Sequence, residues 1–192
     1  MYFEEKTPTE SKEGVWNEKT CIRRIAGWNI YTGNLGSMKW LPKGAVMAIM
    51  AVNGFLQAVL VKSGVVHATL SSGTSLKVKK GHSFIVGDKI GGTNTITDIT
   101  PGADGDEYDT FTISSASFTA GDVILSITEN NDQSVDVFEG VSKIGLNYAP
   151  VEIKGTPTCV ITLQAYEIKE ATLPWPVNAA IKKALTTRHD FI

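Results

Sequence analysis

Cysteine and histidine are scarce in this 192-residue chain: Cys21, Cys159, His67, His82 and His189 are all it has. Structural zinc takes four Cys or His ligands at short paired spacings, and none of these five residues lies in such an arrangement, so no metal or other cofactor is expected. Two distant cysteines leave a disulfide open, and so poor a cysteine content fits a reducing compartment at least as well. Excess positive charge is lacking too. Eighteen Lys and Arg against twenty Asp and Glu give a net charge of -2, which provides no electrostatic footprint for nucleic acid. The opening residues Met1 to Lys6 are acidic and polar where a secretory signal is basic and then apolar, so export by that route is not expected. Nor does any apolar run reach the roughly 20 residues that a membrane-crossing helix needs. The nearest, Ala45 to Val61, is interrupted by Asn53-Gly54.

What the chain does have is β-forming and turn-forming material. Val, Ile and Thr together number 53 and Gly numbers 18, a mixture that suits pleated strands joined by tight turns. The expected fold is all-β, a small barrel or sandwich, with an extended N-terminal arm and one short C-terminal helix. Residues 1–40 read as arm and lead-in, 41–172 as the β body and 173–192 as a helical tail. The arm is rich in Glu, Lys, Thr and Ser, and its apolar points Tyr2, Phe3, Val15 and Trp16 are candidates for docking on a partner.

Asn53-Gly54 is a strong hairpin signal, because a type I′ turn needs positive φ at both central residues. Strands are therefore expected over about Ala45 to Val52 and Phe55 to Val61. Both are apolar on both faces, so they face a core on one side and a second sheet or a neighbouring subunit on the other. Val46, Ile49, Val52, Phe55 and Leu60 are the candidate oligomer interface. Ser71-Ser72-Gly73-Thr74 reads as a turn, Leu76 to Lys80 as an alternating strand, and Thr93 to Thr100 as a threonine-rich strand. Val135 and Val137 alternate in the same way, as do residues 144–153, and a longer strand is expected from Thr158 to Ile168. In the tail, Val177, Ile181, Ala184 and Leu185 share one helical face, with Pro176 suited to the first turn.

One pattern recurs. Phe84-Ile85-Val86-Gly87-Asp88-Lys89-Ile90 and Phe118-Thr119-Ala120-Gly121-Asp122-Val123-Ile124 share the order F-x-x-G-D-x-I. In each copy Gly is expected to supply unusual backbone angles and Asp to bond back to turn amides, making Gly87, Asp88, Gly121 and Asp122 structural turn residues at two similar corners. Asp88 and Asp122 could be drawn as an acid-base pair, but their shared turn role argues against it. The acidic stretch Asp104 to Asp109 fails an EF-hand pattern after two ligands, and Glu129-Asn130-Asn131-Asp132 is likewise read as a solvated loop. No phosphate-binding loop and no G-x-S-x-G elbow is present, so the chain is not expected to be an enzyme.

Three stretches carry a family likeness: Leu41-Pro42-Lys43-Gly44 with its hairpin, Leu76 to Asp88, and Ile96 to Leu125 through Tyr108 to Ile113 and the second G-D corner. Over about residues 41 to 127 the chain resembles the head-fibre and capsid-decoration proteins of tailed bacteriophages, particularly those of Bacteroides-type hosts and their prophages. The resemblance implies a non-enzymatic virion protein on the capsid exterior. Such a protein is made in the host cytoplasm, binds the phage major capsid protein through one part, and forms a homotrimer or other small homo-oligomer. It implies neither a nucleic-acid partner nor a membrane span. Read from residues alone, two other classes stay open: a module binding carbohydrate or a cell surface, such as a host-surface glycan, through Trp28, Tyr31 and Trp40, and a barrel hydrolase using Asp88 or His82.

Overall fold

A computed structural model of the chain describes residues 14–24, 26–91, 94–126 and 140–192. Tyr2, Phe3, the acidic run 129–132 and the alternating Val135 and Val137 lie outside the described residues. The protein is mostly β, with one helix near the C-terminus. Its sheets do not close into a barrel, so of the two architectures expected from the sequence, the sandwich or open β-rich form is the one found.

At the centre is the hairpin Val46–Val52 and Phe55–Leu60, turned by Asn53 and Gly54 at φ of 51° and 81° as a type I′ turn requires. Successive side chains of a strand point to opposite faces. Here the alternation separates two cores. Val46, Ala48, Met50 and Val52 join one with Val59 and Val61, whereas Ala45, Met47 and Ile49 join the other with Ala58 and Leu60. The hairpin is therefore a wall with apolar packing on both sides. Met47, Ile49 and Leu60 are fully buried, and each side chain so buried contributes on the order of 1.5–3 kcal/mol. This corrects the interface expectation for four of its five residues. Val46, Ile49, Val52 and Leu60 are all buried within the chain itself, and only Phe55 stays free, at 73% exposed.

Val141–Leu146 pairs antiparallel with the outer side of Val46–Val52, closing a three-stranded sheet. The first core is completed by chain ends that the sequence reading had left outside the body. Trp16 is 4% exposed and Val15 6%, both packed beneath this sheet. Val15 O accepts from Lys169 N at 3.0 Å, Asn17 N donates to Tyr166 O at 3.1 Å, and Ile22–Arg23 pairs with Thr162–Ile168. Lys43, ion-paired with Glu18, lies over the Trp16 ring at 4.7 Å. Two large apolar groups four or more residues from the next were enough to fold this segment, because a core was waiting for them. As docking points Val15 and Trp16 are consumed.

The C-terminal end is absorbed in the same way. The helix spans Ala179–Leu185, starting later than Pro176 because Asn178 caps it, its side chain accepting from Ile181 N at 3.0 Å. Ile181 and Leu185 are buried in the first core. A short strand not expected from the sequence, His189–Phe191, then pairs parallel with Thr162–Ile168. Residues 28–40, expected as lead-in, supply the short strand Trp28–Asn29 and, with Leu41, the strand Trp40–Leu41, which pair with Thr158–Cys159 and Val151–Glu152.

A third core lies under the long antiparallel pair Leu70–Lys79 and Tyr108–Phe118, edged by Asp98–Thr100. The turn expected at Ser71 to Thr74 is instead part of this ribbon. Its irregularity survives as a register shift opposite Thr112 to Ala116 and a positive φ of 51° at Ser72. The threonine-rich strand is split at Ile96 and Thr97, for a reason found at the corners.

Candidate functional site

The two F-x-x-G-D-x-I copies form the same device. Gly87 and Gly121 have φ of 96° and 90°, angles that L side chains rarely adopt. Gly87 N donates to Ile96 O and Ile96 N donates back to Asp88 O, both at 2.8 Å; Gly121 N donates to Val66 O and Val66 N to Asp122 O, also at 2.8 Å. Each corner thus grips one residue of a passing segment by both its backbone groups. Ile96 and Val66, the residues gripped, are fully buried in the third core, as is Ile90, and Ile124 lies there with them at 6% exposed. The grip on Ile96 is what breaks the threonine-rich strand. Both glycines take the positive φ expected of them, the backbone of both aspartates takes part in the corner, and Asp88 Oδ2 also bonds back to a turn amide, Ile85 N.

The carboxylates then part company. Asp122 is exposed, whereas Asp88 is 8% exposed. One oxygen of Asp88, Oδ2, accepts from Ile85 N at 2.7 Å, and Lys62 Nζ reaches Oδ1 and Oδ2 at 2.7 and 2.6 Å. Lys62 is itself only 1% exposed. Burial drives the Asp88 carboxyl upward and the Lys62 ammonium downward from their ordinary values, against the pull each exerts on the other. Beside the pair runs a cleft of about 250 Å³ lined in part by Asn34, Val86, Gly87, Asp88 and Ser126. Asn34 is buried, donates through Nδ2 to Leu60 O at 3.1 Å, and leaves its Oδ1 without a partner among the described residues. Lys62 had no sequence signal, since a charge straight after an apolar strand reads as the strand's end.

The remaining expected groups are spoken for. His82 Nε2 donates to Asp109 Oδ2 at 3.2 Å while its Nδ1 accepts from Phe84 N, and the ring meets Phe111 edge-on at 4.7 Å. Asp109 Oδ1 accepts from Gly102 N at 3.0 Å and Asp106 from Ala103 N at 2.9 Å, so these acidic-loop carboxylates hold the loop's own backbone. No group of three metal-ligating side chains occurs among the described residues. His189 sits in a relay in which Leu146 N donates to Thr162 Oγ1, 3.0 Å, and the ring bridges Thr162 Oγ1 and Leu185 O at 3.0 and 2.9 Å. Cys21 and Cys159 are free thiols, raised by burial to about 11 and about 12. Trp28 is half-buried against the second core with Arg24 over its ring at 4.5 Å, so that face is occupied.

At the hairpin tip both cores run out. Phe55 and Leu56 are 73% and 50% exposed, on opposite faces of one strand. Phe55–Leu60 is an edge of its sheet, covered by a single parallel bridge at Ile30 and Ala58. An open cleft of about 430 Å³ lies alongside, lined by Phe55, Leu56 and Gln57 and by Asn29, Thr156 and Pro157 across from them. Among the described residues, the tip is thus apolar and the strand edge beside it is open beyond that bridge. Searches against family models, curated proteins and solved structures return no match to this chain.

Replacing Lys62 by Met strands the Asp88 carboxylate, and the expected loss of unfolding free energy is about 3–5 kcal/mol. Adding Asp88→Asn, which keeps an acceptor for Ile85 N, restores most of that loss; urea denaturation of the single and double variants measures both. A second expectation concerns acid. Burial holds His82 and His189 below the ordinary imidazole value of 6.5, despite Asp109 beside the one and the Leu185 carbonyl beside the other. The folded state then binds fewer protons than the unfolded, so this contribution is complete above 6.5 and is lost as pH falls through the folded values. Between about pH 7 and about pH 5 the protein therefore loses more stability than a His82→Asn/His189→Asn variant does over the same interval, as read by denaturation at each pH.

Proposed function

We propose that the chain is a non-enzymatic virion structural protein that decorates the outside of a tailed-phage head as a small homo-oligomer. The observation that carries this is the central hairpin. Its base is fixed by cores on both faces, while its tip presents Phe55 and Leu56 on an open strand edge. Such an element is rigid without a partner, and its exposed end is suited to meeting a second copy through strand-edge and apolar contacts. Decoration also asks little of chemistry and much of stability, and the ionisable groups at Lys62, Asp88, His82 and His189 are occupied in holding the fold.

Attachment to the major capsid protein falls to residues 1–13. Val15 and Trp16 are committed to the first core, as are Ile181 and Leu185 of the C-terminal helix, so of the four docking candidates Tyr2 and Phe3, which lie outside the described residues, are the two assigned this role. Co-sedimentation with purified heads tests this reading. Deleting residues 1–13 is expected to abolish head binding without lowering thermal stability, and Phe55→Asp to shift the sedimentation coefficient toward that of the monomer. Head binding unchanged by the deletion, or no binding of the full chain to heads at all, contradicts it.

A further inference from the structure

The strand His189–Phe191 is held on the body by contacts that do not require it to belong to the same chain. Ala165 N donates to Arg188 O and Ile192 N to Ile168 O, both at 2.9 Å, and Glu170 N donates to Ile192 O at 3.3 Å. His189 is 6% exposed and closes a set of side-chain bonds. Thr162 Oγ1 accepts from Leu146 N, which leaves its own proton for His189 Nε2, and His189 Nδ1 then donates to Leu185 O. Each of these bonds to the strand crosses from residues 188–192 to residues 162–185, so a second copy offers the same partners.

The connection between the two sides is strained. Thr186, which ends the helix, has φ of 64° and ψ of 178°, a region essentially reserved for glycine. Of the described non-glycine residues with positive φ, which are Asn53, Ser72, Glu167 and Thr186, it alone is β-branched, and branching at Cβ makes such an angle hardest to hold. Residues 186–188 are exposed, so the angle is imposed by the strand's return to Thr162–Ile168 rather than by packing around the hinge. Because ψ is already extended, rotating φ alone to a negative value straightens the connection and carries the strand away from its own body. That opening gives up the turn's own bond, His189 N to Thr186 O at 3.2 Å, and relieves the strain. Short strained hinges favour the exchange of identical elements between protomers. We propose that two copies of this chain exchange the strand His189–Phe191, each copy's His189 completing the Thr162 relay of the other. Both copies give and receive the same strand, so the assembly closes at a dimer. The relay stands at the base of the hairpin wall, where Leu146 pairs with Val46, at the other end from the Phe55 tip. The exchange therefore adds a second contact to the proposed homo-oligomer and does not rest on the first.

The test uses the full chain carrying Phe55→Asp, which takes tip contacts out of the readout. The chain is unfolded in urea, refolded at a series of protein concentrations, and sized by gel filtration with light scattering. A dimer fraction that rises with refolding concentration is expected. Adding Thr186→Gly, which holds the same angle without strain in both hinges, is expected to weaken that dimer at least about tenfold. Deleting residues 186 and 187 leaves a connection too short to turn back, and an obligate dimer is expected. Refolding 13C-labelled with unlabelled chain reads the exchanged contact itself, as an isotope-filtered NOE between the Thr162 methyl of one copy and the His189 ring of the other; this needs no hinge variant, so a misfolded deletion does not blur the result. A chain that stays monomeric at every refolding concentration overturns the exchange and leaves the tip contact standing, as does a dimer without the NOE between copies. The unsubstituted chain, sized alongside, reports the tip separately.

Discussion

Everything else in this fold depends on a two-stranded wall that is apolar on both faces. A hairpin of this kind cannot stand in water on either side, so the chain must supply two cores to clothe it. The even-numbered residues of Val46–Val52 are covered by Val15, Trp16, Ile168, Ile181 and Leu185, which lie towards the chain ends, and Met47 and Ile49 by segments on either side, through Ile30, Leu35, Leu41 and Ile161, while Ala51 near the tip is exposed. That division explains why residues near both termini are folded into the body although their own sequences are sparse in apolar groups. Their few large side chains are the ones that the wall requires.

The third core is built by a different economy of means. Two local turns, each with glycine at a φ near 90°, grip Ile96 and Val66 by paired backbone hydrogen bonds and so position an isoleucine of their own beside the residue gripped. The strand Val123–Ser126, which begins at the second corner, places Ile124 in the third core and Leu125 in the first. Its partner Lys62–Val65 runs straight on from the hairpin. The first and third cores thus meet at this strand pair, and the Lys62–Asp88 contact crosses the same joint from the end of the wall to the first corner. A buried charge pair is a weak source of net stability, but it is intolerant of a wrong partner, and here it fixes which corner the hairpin meets.

How much of this was legible in the sequence follows from the physics of each signal. The hairpin was, within one residue at each end, because Asn53-Gly54 dictates a turn type and the flanking runs are long. The G-D corners were as well, because glycine followed by aspartate states a backbone angle; what could not be read was that the two corners would share one core, or that Asp88 alone would be buried. Which face of a two-sided strand meets its own chain and which meets a neighbour is not written in a strand that is apolar throughout, and this is why Val46, Ile49, Val52 and Leu60 suggested an interface. Lys62 was invisible, since nothing local distinguishes a lysine that ends a strand from one that continues into the interior. His189–Phe191 was missed because three residues are too few to show alternation.

If the hairpin is the clothed wall described, its backbone amides have no local route to solvent. Native-state hydrogen exchange under increasing denaturant tests that most directly. The account predicts that amides of residues 46–50 and 58–60 exchange only through global unfolding, with protection matching the full unfolding free energy, while those of the exposed ribbon at residues 70–75 open earlier. Exchange of the hairpin amides at a lower free energy than the ribbon would contradict it, because the wall would then be opening while the cores that are meant to hold it remain formed.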